Sequence, residues 1–186
     1  VGFDVARPIL NVLGIVASVI IVAQKRQFVN KKELLKITCI MLAGMVPGFL
    51  IINHFSVNSG VLYKTLGIIV IGFTALGIIK KQKRLFNDIV MYGLLFLSGI
   101  VHGMFVCGGP LLVVYANDKL KDSDEFRSTV SAVWIVLNSI NMFTDIGAGR
   151  FNGNTVILLL ISTAVLFLAM LIGNLIYKHM NKKAFM

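Results

Sequence analysis

Residues 89–117 read IVMYGLLFLSGIVHGMFVCGGPLLVVYAN, a run of 29 positions without Asp, Glu, Lys or Arg. One straight helix of that length would measure about 43 Å, whereas the hydrocarbon core of a bilayer is about 30 Å thick. The run is interrupted by Gly108, Gly109 and Pro110, and both residue types disfavour a continuous helix. The sequence therefore predicts a broken, re-entrant helix within a membrane.

The remainder of the chain is similarly apolar. Of its 186 residues, 57% are hydrophobic and 14% charged, and the mean hydropathy is +0.87, whereas about 25% of the residues of a soluble domain are charged. Charged residues are also absent from five further runs: 8–24, 37–53, 65–79, 128–144 and 151–177. We predict an all-α integral membrane protein, a polytopic helical bundle in the cell membrane. Despite the formal net charge of +10, the composition excludes a soluble enzyme or nucleic-acid-binding module.

Two of the predicted helices carry a polar face at helical spacing. The first face consists of Arg7, Asn11, Gly14 and Ser18, at intervals of 4, 3 and 4 residues. The second repeats these intervals and extends them, and it consists of Arg127, Ser131, Trp134, Asn138, Asn141 and Asp145. We expect each face to form one wall of a shared interior.

The matching faces indicate an internal repeat. Residues 1–86 form the first predicted repeat, with three transmembrane helices, and residues 87–186 form the second, with the broken helix 89–117 and two transmembrane helices. Aligned in this way, the first repeat lacks a broken segment at its start and the second lacks a last helix. We therefore expect a Gly-rich segment to precede Val1 and a helix to follow Met186.

Lysine and arginine concentrate in the short loops between these helices. If the broken helix returns to the side from which it entered, 15 of the 18 Lys and Arg residues lie on one side, and only Arg7, Lys64 and Arg150 on the other. Because basic loops mark the cytoplasmic side, this arrangement is favoured over a full crossing. Each repeat then crosses the membrane an odd number of times, so the two repeats are predicted to be inverted, as in many transporters.

The break itself predicts an anion site. Gly108 and Gly109 permit backbone angles that other residues avoid, and Pro110 suits the first turn of a new helix. A short helix over 110–117 would point its N-terminal N–H groups and positive dipole end at the membrane interior, where they bind an anion. Two alternatives remain open here, a glycine-rich packing kink and a hinge that contacts no ligand.

The residues around the break resemble a known signature. Residues 98–115, SGIVHGMFVCGGPLLVVY, are similar to the Gly-rich motif of the TauE/SafE sulfite exporter family, with Cys107 in place of the motif's third glycine. The residues Phe126-Arg127-Ser128-Thr129, followed by Trp134 and Asn138, resemble the family's next helix. The resemblance implies secondary transport of small sulfur-containing or carboxylated anions across a plasma membrane by two inverted repeats.

The candidate substrate-binding residues lie at the break or on the polar faces. They are His102, Cys107, Gly108, Gly109, Pro110, Arg127, Ser131, Asn138, Asn141, Asn11 and Ser18. His102 either carries protons or stays neutral with a backbone partner, and Asp145 is either a solvated cap or a proton relay. Arg127 is either a forked donor to an oxyanion or an anchor at the membrane interface. The asparagines either bond across helices or contact the ligand.

We consider three candidate functions for this sequence. The first is a secondary transporter of small anions, with proton coupling left open. The second is a membrane-embedded thiol enzyme or sulfur carrier that uses Cys107 as nucleophile and His102 as base. A scaffold without transport, the third, explains the hydrophobicity but not the polar faces. We expect a small anion and the lipid bilayer as partners, no nucleic acid, no cofactor and no metal, since two cysteines provide no zinc-site spacing.

Overall fold

The computed structural model describes residues 2–54, 87–120 and 122–179, together with positions 64, 67, 68, 71 and 72. The three continuous ranges contain no strand, and their helices are α1 (Phe3–Lys25), α2 (Lys31–His54), α3 (Asp88–Phe105), α4 (Gly109–Lys119), α5 (Ser123–Gly147) and α6 (Gly153–His179). The 3-10 turn Arg26–Phe28 lies between α1 and α2. All of these helices except α4 include a segment long and apolar enough to cross a membrane. The predicted all-α, multi-pass architecture is confirmed.

The third transmembrane helix, predicted over roughly 61–79, falls mostly outside the described residues. Its positions 64, 67, 68, 71 and 72 are described, and they are helical.

The chain divides into two compact units. The first joins Val1–Leu34 with Leu120–Met186, and the second is Leu35–Lys119. Helices α1, α5 and α6 therefore belong to the first unit, and most of α2 belongs with α3 and α4 to the second. The predicted repeats, 1–86 and 87–186, concern symmetry within the sequence rather than compactness, and they remain a prediction.

In the first unit, α1 and α5 lie antiparallel with their polar faces against each other. Near the start of α1, the guanidinium of Arg7 donates a hydrogen bond to the side-chain oxygen of Asn141 at 3.2 Å. At the other end of the helix pair, Lys25 forms an ion pair with Asp124. We call these the Arg7 end and the Lys25 end. Because lipid offers no hydrogen bonds, the two polar faces are far more stable against each other than against acyl chains.

The C-terminus of α5 is closed by a Schellman motif. Gly149 adopts the left-handed conformation, with φ at +68°, and its N–H donates to the carbonyl of Ile146 at 3.0 Å. The N–H of Arg150 donates to the carbonyl of Asp145 at 3.1 Å. This arrangement turns the chain sharply after the helix and brings Arg150 back beside the last turn of α5.

Helix α6 packs against α1 and exposes most of its apolar surface. Leu160, Leu168 and Leu171 are each more than 60% exposed. Apolar surface of this extent is unfavourable in water and stable among lipid chains.

In the second unit, α2 and α3 cross at glycines. Gly44 and Gly48 of α2 form one G-x-x-x-G motif, and Gly99 and Gly103 of α3 form another. A Cβ atom at Gly99 would overlap with the backbone carbonyl of Met41. Two helix backbones approach this closely only where both lack side chains, as is common between helices in membranes.

Helices α3 and α4 form an antiparallel hairpin. At its open end, the Lys119 ammonium lies 2.8 Å from a carboxylate oxygen of Asp88. One to two turns further in, the ring centroids of Tyr92 and Tyr115 are 6.3 Å apart. Since Asp88 and Lys119 lie side by side, the segment ends where it began, as the re-entrant prediction requires. The hairpin is unequal, with 18 residues in α3 and 11 in α4.

Candidate functional site

The helix breaks at Val106, Cys107 and Gly108. Val106 takes up the left-handed conformation, with φ 57° and ψ 29°, and its N–H donates to the carbonyl of His102 at 2.9 Å. The left-handed residue is therefore a β-branched valine, a type for which this conformation is strained. The expectation that Gly108 and Gly109 supply the unusual backbone angles is wrong, because Val106 and Gly149 are the positive-φ residues within the described ranges.

Gly108 serves close packing instead. A Cβ atom at this position would lie 2.6 Å from the backbone oxygen of Ser98 and 2.9 Å from Cβ of His102. The Ser98 hydroxyl donates a hydrogen bond to the Gly108 carbonyl oxygen at 2.7 Å. Only a glycine lets the returning chain rest directly on α3 between these two side chains.

Helix α4 begins directly at the break. Pro110 occupies its second position, where a missing N–H is harmless, as predicted. The N–H of Leu112 reaches the carbonyl of Gly108 at 3.3 Å and forms the first turn. The N–H groups of Gly109 and Leu111 precede this bond, so the helix supplies no carbonyl for them. They carry the positive end of the α4 dipole.

The length of α4 places its N-terminus deep within the hairpin. Eleven residues of α-helix measure about 16 Å, which is about half the thickness of a bilayer core. With the Asp88–Lys119 end at the membrane surface, the N-terminus of α4 would lie near the middle of the bilayer, beside Ser98, while the longer α3 reaches farther before it ends. Backbone that is not helical at this depth occurs where it is buried in protein or lines a cavity.

His102 and Cys107 complete the group of predicted residues at the break. The His102 side chain is fully buried in the last turn of α3, and Cys107 is half-buried. The structure thus brings together five of the predicted site residues, and all of them lie in the second unit: His102, Cys107, Gly108, Gly109 and Pro110.

The other predicted residues lie in the first unit, where the polar faces bond to each other. Arg7 and Asp145 form an ion pair, with 3.2 Å between Nε and Oδ1, and both are almost fully buried. The amide of Asn11 donates to the other Asp145 oxygen at 2.6 Å. Arg150 Nη1 lies 3.1 Å from Asp145 Oδ1. Asp145 is therefore not a solvated cap but a buried carboxylate that accepts hydrogen bonds from Asn11 and Arg150 and forms an ion pair with Arg7.

Farther along the same faces, Asn138 lies against Gly14, whose missing side chain leaves room for the amide. Asn138 and Asn11 are buried, and their side-chain oxygens have no hydrogen-bond partner among the described residues. Ser18 and Ser131 are likewise buried. A buried carbonyl oxygen without a donor is costly, so these positions favour contact with a hydrogen-bond donor.

Arg127 and Trp134 belong to the second polar face but are only half-buried. They do not share the deep burial of Ser131, Asn138 and Asn141 on the same face. Both alternatives for Arg127, the oxyanion donor and the interface anchor, remain predictions.

Several polar contacts were not predicted. At the Lys25 end, the Asn30 amide donates to Glu125 at 2.8 Å, and the Asn30 N–H donates to the Thr129 hydroxyl at 2.9 Å. At the Arg7 end, Arg150 Nε donates to Asp4 at 3.2 Å. The sequence contains a signal for the position of Arg150, because Gly149 directly before it is typical of a Schellman motif. No local pattern identifies the partners of Asn30.

The fold and these two buried groups define a multi-pass helical membrane protein with a broken helix in its interior and charged residues paired within its bundle. The comparisons with known proteins name the class. The family model "Sulfite exporter TauE/SafE" matches residues 2–186, so the chain belongs to this family of membrane transporters. The family that the sequence predicted is thereby confirmed.

One curated relative is a protein of Comamonas testosteroni, named "Probable inner membrane transporter protein TsaS". Over 89 residues the two chains are 28% identical, and the alignment covers 47% of this chain and 37% of the relative. The chain therefore matches well under half the length of this relative. No solved structure matches the chain. The family, the five helices long enough to cross a membrane among the described residues, and the inner membrane relative together place the protein in the cell membrane as a multi-pass protein.

Proposed function

We propose that the protein is a secondary transporter of small sulfur-containing or carboxylated anions and that it binds the anion at the N-terminus of α4. The observation that carries the proposal is the break at Val106–Gly108, after which α4 begins about half a bilayer's thickness from the open end of the hairpin. An isolated buried anion is very costly in such surroundings, and the first-turn N–H groups of α4 with its dipole offset that cost.

His102 is the residue that would couple protons to this anion. It lies one turn before the break, with its Cβ close to Gly108, and it is buried in a membrane segment. A histidine changes charge near neutral pH, and ionisable residues inside membranes are mostly functional. A protonated His102 would attract an anion, and a neutral one would release it.

The other residues proposed to contact substrate lie on the polar faces of the first unit. They include Arg127, Ser131, Asn138, Asn141, Asn11 and Ser18. Arg127 is the member that offers a full positive charge and a forked set of donors, which suit sulfite, sulfonate and carboxylate. The amides would orient the solute rather than neutralise it.

Flux in proteoliposomes tests the proposal. The protein is reconstituted, and uptake of sulfite, sulfoacetate and related anions is measured as a function of concentration and pH. We expect saturable flux, a several-fold loss in Gly109→Leu because the leucine side chain blocks the first turn of α4, and a loss in Arg127→Ala. Gly93→Leu is the matched control, since a Cβ there meets nothing within 4 Å.

The outcomes separate the parts of the proposal. Unchanged flux in both Gly109→Leu and Arg127→Ala would remove these residues from the transport path. Flux that loses its pH dependence in His102→Gln supports proton coupling, whereas an unaltered pH profile in this variant contradicts it. If the wild-type protein shows no anion flux, the proposal that it is a transporter is wrong.

A further inference from the structure

The Asp145 carboxylate occupies a set of donors that suits a small free anion. Its Oδ1 lies 3.2 Å from Arg7 Nε and 3.1 Å from Arg150 Nη1, and its Oδ2 accepts a hydrogen bond from Asn11 Nδ2 at 2.6 Å. The donors come from two turns of α1 and from the turn after α5. They converge on one two-oxygen edge, the shape that a carboxylate, a sulfonate and sulfite have in common.

Around Asp145, the positive charges outnumber the buried negative ones. Arg7 is 2% exposed and Arg150 21%, and between them lies one fully buried carboxylate, that of Asp145. The second carboxylate near Arg150 is that of Asp4, which is 80% exposed and so screened by solvent. Two guanidinium groups thus share one buried negative charge, and the site would hold an additional or alternative anion more readily than a neutral pair would.

We infer that Arg7, Arg150 and Asn11 form a second oxyanion site at the Arg7 end, which Asp145 fills in this state and from which an incoming anion displaces it. The donor set stands on the geometry alone, whereas the ligand class, a small sulfur oxyanion or carboxylate, rests on the proposed function. Asp145 then acts as a tethered substitute for the anion. It neutralises the buried Arg7 and the partly exposed Arg150 while no solute is bound, which avoids the cost of an uncompensated buried charge.

The site lies on a different helix pair from the break and has a different chemistry. At the break, the donors would be backbone N–H groups of α4, and at the Arg7 end they are side chains. On the topology favoured by the loop charges, Arg7 and Arg150 lie toward the external, non-cytoplasmic side of the membrane. The second site would therefore take up or release the anion at the external mouth of the α1–α5 pair.

Anion rescue of a cavity variant tests the inference without any transport. Asp145→Ala removes the buried negative charge between Arg7 and Arg150, so we expect a lower melting temperature than that of the wild type. Millimolar formate, methanesulfonate or sulfite should restore much of that loss, because a ligand that binds only the folded state stabilises it. Chloride at equal ionic strength should not. Unfolding can be followed through the single tryptophan, Trp134, in detergent.

Two further variants assign the binding to this site. Rescue should disappear in Asp145→Ala combined with Arg7→Met, whereas anion binding elsewhere would persist in the double variant. Asp124→Ala removes the buried carboxylate at the Lys25 end, which pairs with a lysine rather than with two arginines, and should show no anion-specific rescue. A folded Asp145→Ala protein that no anion stabilises, or rescue that survives loss of Arg7, would overturn the inference.

Asp145→Asn covers the case in which the alanine variant does not fold. Asparagine preserves the shape of the side chain but removes the charge that competes with the solute. We expect the anion concentration for half-maximal flux to fall several-fold in this variant, and an unchanged or higher value contradicts displacement. If the wild-type protein shows no flux, the proposed function fails, while anion binding by Asp145→Asn, measured calorimetrically, still decides whether the second site exists.

Discussion

The hydroxyl of Ser98 donates a hydrogen bond to the carbonyl oxygen of Gly108 at 2.7 Å, and this bond fastens the break between α3 and α4 to the middle of α3. Ser98 is fully buried, so no water competes for its hydroxyl. The bond makes the two arms of the hairpin one structural element. It also holds the start of α4 at a fixed depth, which an anion site built from backbone N–H groups needs.

Removal of this hydroxyl should loosen the break without unfolding the protein. Ser98→Ala loses one buried hydrogen bond, which costs about 1 kcal/mol, while the Gly108 carbonyl keeps its helical bond from Leu112. We expect Cys107 to react several-fold faster with a maleimide, measured in a Cys39→Ser background because Cys39 is exposed.

Ser139→Ala is the control for this measurement. Its hydroxyl bonds back to the carbonyl of Ile135 within α5, at 2.6 Å, so the variant should leave the labelling rate of Cys107 unchanged. Equal rates for Ser98→Ala and the wild type would show that the bond does not hold the break in place.

The crossing of α2 and α3 should tolerate no side chain at Gly99. An alanine there would place its Cβ against the backbone of Met41, which cannot rotate away as a flexible side chain can. We expect Gly99→Ala to lower the free energy of unfolding by about 1–3 kcal/mol, the usual cost of overpacking. Thermal unfolding in detergent measures the change.

Gly93→Ala provides the comparison on the same helix. A Cβ at Gly93 meets nothing within 4 Å, and alanine is the better helix former by about 0.5–1 kcal/mol. This variant should be as stable as the wild type or slightly more so. Equal destabilisation by the two substitutions would mean that close packing is not what requires Gly99.

The polar spacing in the sequence predicted which side chains face the bundle interior. Arg7 and Asn11 repeat at the helical period, and in a membrane such side chains must find partners, so their burial followed from the pattern. The identity of their partners, however, could not be predicted from the pattern. Asp145 bonds to both, but the antiparallel register that brings α5 beside α1 is a tertiary property that no local rule encodes.

The break shows a different limit of sequence reasoning. Its position was predicted from Gly108 and Pro110, and the hairpin from the loop charges, because both depend on general restrictions on backbone and membrane crossing. The left-handed residue was predicted to be a glycine and is Val106. Local rules assign glycine to unusual angles, whereas Gly108 is required by the close approach of Ser98 and His102, which only the folded hairpin reveals.

The strain at Val106 should be measurable. A non-glycine residue in the left-handed region costs about 1–2 kcal/mol, and glycine removes that cost at the expense of a more flexible unfolded chain. We expect Val106→Gly to be at least as stable as the wild type. Val101→Gly, a buried position within α3, should lose more than about 2 kcal/mol. Val106→Gly that melts as low as Val101→Gly would contradict a strained conformation.

The open end of the hairpin should respond to alkaline pH. The hydrogen bond to Asp88 raises the pKa of Lys119 above its ordinary value of 10.5. Because the pKa is higher in the folded state, the pair's contribution is fully present below pH 10.5 and is lost as the pH rises through the higher folded pKa.

Melting temperatures of the wild type and Asp88→Asn, compared between about pH 7 and pH 11, check this sign. We expect a small, constant advantage of the wild type at neutral pH that disappears at the alkaline end. Lys25, whose partner is Asp124 at a distant position, can be removed in parallel as a reference pair. An advantage that grows with pH would show that the ion pair is not its source.

Replacing Cys107 by serine separates a transporter from a thiol enzyme or sulfur carrier. Cys107 lies in the break beside Gly108, half-buried, and His102 lies five positions earlier. If the break binds the anion through backbone N–H groups, the serine variant keeps those groups and should retain most of the flux, with a change of no more than a few-fold. A serine cannot replace a thiolate nucleophile, so a mechanism through Cys107 would lose activity by orders of magnitude while anion binding persisted.

Flux and binding affinity, measured on the same Cys107→Ser preparation with Cys39→Ser as the matched control, distinguish the two mechanisms. Retained flux excludes the thiol mechanism. Lost flux with intact binding excludes a transport path in which the Cys107 thiol takes no part.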